Sequence, residues 1–252
     1  MTNPDTLDTV RRFSDRADDY VRYRPSYPAR AIDALLDGLG SPDRLIVADV
    51  GAGTGISARL IGDRGARVVA IEPGDQMRLA AAPHPRVTWL AGRAETTGLR
   101  SEAVDLVVCA QSFHWFRVPE TLTELARILR PDGRLAIVWN RRSTTDPLTA
   151  GYRQAILDVG GEVAAERMPF EPGALAASSL FTSPERLAFP NRQRLDLDGL
   201  IGRARSASYV PKTGEAGDRL LQLLRTLHAT YVDAEGFVTL VYETEVFRSV
   251  RQ

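Results

Sequence analysis

Apolar and polar positions switch between two periods along the middle of the chain. Leu45-Ile46-Val47-Ala48, Arg67 to Ile71, Arg86 to Ala91, Val104 to Ala110 and Arg134 to Trp139 are short apolar runs that read as strands. Helical patterns lie between them: one from Ile56, one over Asp75–Ala82, and one over Pro119–Leu129. The last carries Leu122, Leu125, Ala126 and Leu129 on a single face. Such alternation predicts a parallel sheet covered by helices on both faces. From Arg141 to Tyr231 it lapses into a mostly helical pattern, punctuated by Pro147, Pro169, Pro172, Pro184 and Pro190. Within that stretch Arg186 to Leu197 reads as a sixth strand, and Gly217 to Tyr231 as a helix with Leu220, Leu221, Leu224 and Leu227. Phe237 to Phe247 reads as the last strand. The expected fold is a Rossmann-like α/β protein with a seven-stranded sheet. The sheet is mostly parallel with an antiparallel last strand, and helices are inserted after the fifth.

The turn between the first strand and its helix carries the most chemistry. Asp49-Val50-Gly51-Ala52-Gly53-Thr54-Gly55 places three glycines at alternate positions. Without Cβ atoms the backbone can turn sharply and lie against a ligand, and the following helix presents its free N–H groups there. A dinucleotide fingerprint needs Gly-x-Gly-x-x-Gly, and its third glycine would fall on Ile56. The second strand ends on Glu72, followed by Pro73 and Gly74. An acidic side chain about 20 residues past the glycine turn is placed to accept ribose hydroxyls.

Composition narrows the classes. With 252 residues and 44% apolar content, the chain can bury a sizeable core. Lys+Arg and Asp+Glu both total 32, so no basic excess favours nucleic acid. No run approaches the roughly 18 apolar residues of a membrane span, and the polar start Met1 to Asp8 is unlike a signal peptide. A cytoplasmic protein is expected. Cys109 is the single cysteine, and His84, His114 and His228 are far apart, so no metal site is expected. One lysine, Lys212, among many arginines suggests a GC-rich bacterial genome.

Gly51-Ala52-Gly53-Thr54-Gly55 after an acidic residue resembles motif I of the class I S-adenosylmethionine-dependent methyltransferases. The helix, turn and strand around Arg130-Pro131-Asp132-Gly133 resemble their LxRxLxPGG segment. The opening Phe13-Ser14-Asp15-Arg16-Ala17-Asp18-Asp19-Tyr20, then Tyr23-Arg24-Pro25-Ser26-Tyr27-Pro28, resembles the trans-aconitate methyltransferase-like group, which carries the methyltransferase type 11 domain. Gln111-Ser112-Phe113-His114-Trp115-Phe116, Trp139-Asn140 and Ser206-Ala207-Ser208-Tyr209 fit the same group.

The resemblance implies four segments: 1–40, a helical cap over the cofactor; 41–140, the cofactor-binding core; 141–235, a helical lid and acceptor region; and 236–252, the final strand. It implies S-adenosylmethionine bound by Asp49, Gly51, Gly53, Gly55, Glu72, Pro73 and Met77, with Ala110, Gln111 and Trp115 after the fourth strand. It places Tyr20 and Arg24 near the methionine portion. Where an acidic residue usually receives the adenine, this chain has Arg93, a donor with no acceptor. The contact is then expected from backbone atoms of Arg93 and Ala94, or from Glu95.

His114 is either a general base or part of the cofactor wall, and a carboxylate acceptor would need no base. Trp139, Asn140 and Arg141, with Arg142 beside them, are candidates to hold the acceptor. The expected activity is methyl transfer to a small molecule, a carboxylate or a bacterial secondary metabolite, by a monomer or homodimer. The alternatives are an S-adenosylmethionine-binding protein that transfers nothing, regulatory or cyclising, and a nicotinamide-dependent oxidoreductase.

Overall fold

A computed structural model describes residues 22–160, 172–207, 210–211 and 213–252. It contains a seven-stranded sheet made of β1 (Ile46–Val50), β2 (Arg67–Ile71), β3 (Val87–Leu90), β4 (Val104–Ala110), β5 (Leu129–Arg142), β6 (Glu185–Leu195) and β7 (Val238–Val250). Their order is β3-β2-β1-β4-β5-β7-β6. The first five strands pair in parallel, and the last is antiparallel. The doubly wound order follows from right-handed crossovers on both sides of β1.

The chain divides into two compact units. The larger comprises Tyr27–Trp139, Phe170–Phe189 and Thr244–Gln252. Its central strands β1 and β4 are buried on both faces, and the two-residue period sorts their side chains into two cores. Ala48, Val50, Val107, Cys109, Leu135 and Ile137 pack with Leu122, Leu125 and Ile128 of α4 (Val118–Ile128). Val47, Leu106, Val108, Ala136 and Val138 pack with α1 (Ala29–Leu36) and α2 (Ile56–Gly62) on the other face. A short α3 (Asp75–Leu79) follows β2. It stops before Ala82, because the residue preceding Pro83 is pushed away from the helical region.

The second unit comprises the residues up to Ser26 with Asn140–Pro169 and Pro190–Glu243. Its core joins Leu148, Tyr152 and Ile156 of α5 (Pro147–Gly160), Leu200 and Ala204 of α7 (Leu197–Arg205), and Leu220 and Leu224 of α8 (Gly214–Tyr231). A short helix, α6 (Gly173–Ala176), belongs to the larger unit.

Two further local expectations change. The turn expected at Arg130–Gly133 lies inside β5, which starts at Leu129. Leu129 pairs with Val104 and Arg134 with Leu106, so the step of five residues in β5 meets a step of two in β4, and Asp132 takes φ 59. The turn chemistry is present, but it builds a bulge rather than a strand end. Strand β6 ends at Leu195 rather than Leu197, because the Asp196 carboxylate accepts from the Gly199 amide at 2.7 Å and caps α7. In the loop after α3, His84 packs on Gly62, and its Nε2 lies 3.2 Å from the Asp63 carboxylate.

Candidate cofactor site

The strand register brings the motif residues to one edge. Val50 lies beside Ile71 and Asp49 beside Val108. Gly51, Glu72 and Gln111 therefore leave the sheet together at the carboxyl ends of β1, β2 and β4, where open α/β sheets bind ligands. The amides of Gly51 and Ala52 both donate to the Ile71 carbonyl, at 2.9 and 3.1 Å, which starts the turn. Gly51, Gly53 and Gly55 then take φ of 69, 57 and 75, a region that costs an L side chain about 1–2 kcal/mol. A Cβ on Gly51 would stand 2.6 Å from the Ser112 Cβ, and one on Gly55 would stand 2.8 Å from the Trp89 ring. Gly51 and Gly55 are thus required by both conformation and space, and Gly53 is favoured by conformation.

Glu72 braces this turn from β2. Its carboxylate accepts from the Gly53 amide and from the Gly74 amide, each at 2.9 Å. Burial raises its pKa, while the two amides and the Arg78 charge pull the other way. Each carboxylate oxygen keeps a further lone pair for a ligand hydroxyl. Pro73 follows it, and Met77 is buried against Gly74.

Asp49 lies beneath the turn and is fully buried. Its Oδ2 accepts from the Ser57 hydroxyl of α2 at 2.6 Å, and Oδ1 has no partner among the described residues. Burial pushes its pKa up to about 7. The Ser57 and Ala58 hydrogen bonds oppose that shift, and the Glu72 charge adds to it.

The segment after β4 closes a second side. Gln111 has φ 56, its amide donates to the Val138 carbonyl at 2.9 Å, and its buried Oε1 has no partner among the described residues. Ser112 Oγ donates to the Val50 carbonyl at 2.8 Å, tying this segment to the end of β1. The His114 ring sits between Trp115, at 4.4 Å, and Trp139, at 5.0 Å between centroids.

After β3, the Arg93 amide and carbonyl are both bonded to Thr96, at 3.2 and 3.1 Å. The Ala94 side chain is buried, and Glu95 accepts from the Arg117 amide at 3.0 Å, at the start of α4. Asn140, Arg141 and Arg24 belong to the second unit, where Asn140 Nδ2 donates to the Ser26 carbonyl at 3.3 Å. Tyr20, with the rest of the opening to Val21, lies outside the described residues, as do Ser208 and Tyr209. Sequence reading passed over Ser57, Ser112, Trp89 and Arg117 as site residues. Ser112, Trp89 and Arg117 act through contacts between segments far apart in the chain, and Ser57 reaches Asp49 from the next element, so no local pattern marks them.

A glycine cradle, a braced acid at the end of β2 and an amide oxygen without a partner among the described residues thus lie on one edge of a doubly wound sheet. A methyltransferase domain model matches residues 48–137. An uncharacterized methyltransferase of Mycobacterium tuberculosis is 34% identical over 225 residues, 87% of this chain and 86% of that protein. Another, from Schizosaccharomyces pombe, is 32% identical over 193 residues, 73% of this chain and 77% of its own. A solved structure from Anaeromyxobacter dehalogenans, assigned to the type II methyltransferases, aligns with TM-score 0.65 at 26% identity. It covers 91% of this chain and 98% of that one. The chain belongs to the methyltransferase family, its cofactor is S-adenosylmethionine, and it is an enzyme. Among the described residues, no helix is long and apolar enough to cross a membrane.

Proposed function

We propose that the enzyme methylates a small-molecule acceptor that supplies its own negative charge, a carboxylate of the kind the trans-aconitate methyltransferase-like resemblance implies. The observation that carries this reading is the setting of His114. Its imidazole lies between two indole rings, an arrangement that builds a wall. An ionised acceptor needs no proton removed at neutral pH. A hydroxyl of a secondary metabolite is the second reading, and it would require His114 as base.

S-adenosylmethionine supplies an electrophilic methyl group on a positively charged sulfur. The chain's own residues then bind, orient and exclude water. In this reading Gly51, Gly53 and Gly55 admit the cofactor and Glu72 accepts its ribose hydroxyls. Pro73, Met77, Ala94, Ala110, Gln111 and Trp115 line its place. Since the Arg93 amide is already bonded to Thr96, Ala94 is the better source of an adenine contact. Tyr20 and Arg24 hold the methionine end, and Trp139, Asn140 and Arg141 face the acceptor.

The test is a screen of carboxylic acids, phenols and amines with detection of S-adenosylhomocysteine, on wild type and His114→Ala. A carboxylate acceptor predicts turnover within about tenfold of wild type in the variant. A true general base predicts a loss of about 10²–10⁴-fold that shrinks for acceptors of lower pKa. The large loss would overturn the proposal and favour the hydroxyl reading.

A further inference from the structure

The loop between β3 and β4 is laced to α4 at alternate residues. It leaves the sheet beside the braced acid, since Leu90 pairs with Ile71 and the Glu72 amide donates to the Leu90 carbonyl at 3.1 Å. The Arg93 and Thr96 amides each donate to the other's carbonyl, closing a tight turn with Ala94 and Glu95 at its tip. Glu95 accepts from the Arg117 amide at 3.0 Å and lies 3.6 Å from Arg117 Nε, with 8% of its side chain exposed. The Thr97 amide and hydroxyl donate to Glu124 Oε1 at 2.8 and 2.6 Å. In the last turn of α4, Arg127 Nη2 donates to the Leu99 carbonyl at 2.8 Å.

The contacts at Thr97 and Leu99 fasten a loop to a helix. The one at Glu95 reaches further, because Arg117 joins α4 to the segment that follows β4. Phe113–Trp115 form a single 3-10 turn, and Ser112 and Phe116 on either side of it pack against Gly51. Arg117 occupies the position that caps α4, but its own side chain makes no capping bond among the described residues. A carboxylate at that helix start is favoured by the dipole, and this one comes from 22 residues earlier. In the sheet, β3 and β4 are separated by β2 and β1, the strands that end in Glu72 and the glycine turn. Glu95 therefore ties together the two segments that border those strands.

We propose that Glu95 is a positioning residue for the cofactor. By fixing the Arg117 amide it holds Ser112–Phe116 against the glycine turn, and it does not itself receive the adenine. The inference goes beyond the acceptor reading and does not depend on it.

Calorimetry on the full chain, with S-adenosylhomocysteine and with its 6-oxo analogue S-inosylhomocysteine, tests it. Glu95→Ala should weaken both ligands about 5–20-fold, because binding must then order a loosened segment. A contact from Glu95 to the adenine amino group would penalise the adenosyl compound alone, since the 6-oxo base has no amino group to donate. Loss confined to that compound overturns the proposal. Glu95→Gln keeps an oxygen for the Arg117 amide and should stay within about threefold of wild type. Affinity as low as in Glu95→Ala would overturn it too.

The amide can also be removed from the other side. Arg117 has φ −79 and Phe116 before it is extended at ψ 152, so proline fits at 117. Arg117→Pro should weaken S-adenosylhomocysteine as much as Glu95→Ala does, and the double variant should bind no more weakly than either. Additive losses would show that the two residues act separately and overturn the proposal. A purely structural contact would lower the urea midpoint of Glu95→Ala and leave its affinity unchanged, which would overturn it as well.

Discussion

Gly51→Ala isolates the steric demand at the glycine turn. The added methyl would sit 2.6 Å from Ser112 Cβ, 2.9 Å from Ser112 Oγ and 3.0 Å from Phe116 Cζ, on a backbone with φ +69. Gly38→Ala is the matched control: φ is +77, and the only neighbour is the far end of the Arg134 side chain at 3.7 Å. Both variants meet the left-handed penalty of about 1–2 kcal/mol. Only Gly51→Ala must also displace Ser112, adding about 1–3 kcal/mol of overpacking and about 1 kcal/mol for the bond from Ser112 to the Val50 carbonyl. The difference is about 2–4 kcal/mol. Trp89, Trp115 and Trp139 are the only tryptophans and all lie in the larger unit, so indole fluorescence during urea unfolding follows that unit. Gly51→Ala should unfold at clearly lower urea than Gly38→Ala and bind S-adenosylmethionine poorly. Equal midpoints for the two would refute the steric account.

Glu72→Ala should weaken cofactor binding by about 1–3 kcal/mol, measured by calorimetry, since it also strands the Gly53 and Gly74 amides. Unchanged affinity would remove the ribose assignment. Asp49 has a folded pKa of about 7 against an ordinary 3.8, so between those values the folded state holds more protons than the unfolded one. Stability is therefore lost as pH rises from about 4 to 7, by up to about 4 kcal/mol, and Asp49→Asn should abolish that slope and be the more stable form at pH 8. Parallel stability curves for the two would exclude the shift. Hydrogen exchange should show the opening segment to Pro28 and the stretch 141–231 gaining protection when S-adenosylmethionine binds, if they close over it; equal protection in both forms would argue for a preformed roof.

The central strands of the larger unit were legible because they are buried on both faces and read as mostly apolar runs, as in Val104 to Ala110, where Asp105 alone interrupts. The glycine turn was legible because conformation and space demand the same residue. What the sequence hid depends on pairings between segments. Ser112 meets Val50 across 62 positions, and Arg117 meets Glu95 across 22. The bulge at Asp132 was hidden differently, since Pro-Asp-Gly chemistry suits a turn wherever it falls. Only the register between β4 and β5 shows that the strand continues through it.

The division into two units has a consequence for how the protein can be made. Among the described residues the chain passes between them at 26/27, 139/140, 189/190 and 243/244, and once more between Gly160 and Pro172. β7, the last strand in the order of synthesis, lies between β5 and β6 in the sheet. Until it arrives, β5 and β6 lack the neighbour that the finished sheet gives them, and a nascent chain carries unpaired strand edges of the kind that recruit other chains. Neither unit can be completed from one continuous stretch of sequence. Residues 244–252 belong to the larger unit, so even the half that carries the cofactor turn waits on the final segment. Shortening the chain from that end would expose the middle of the sheet rather than trim its border.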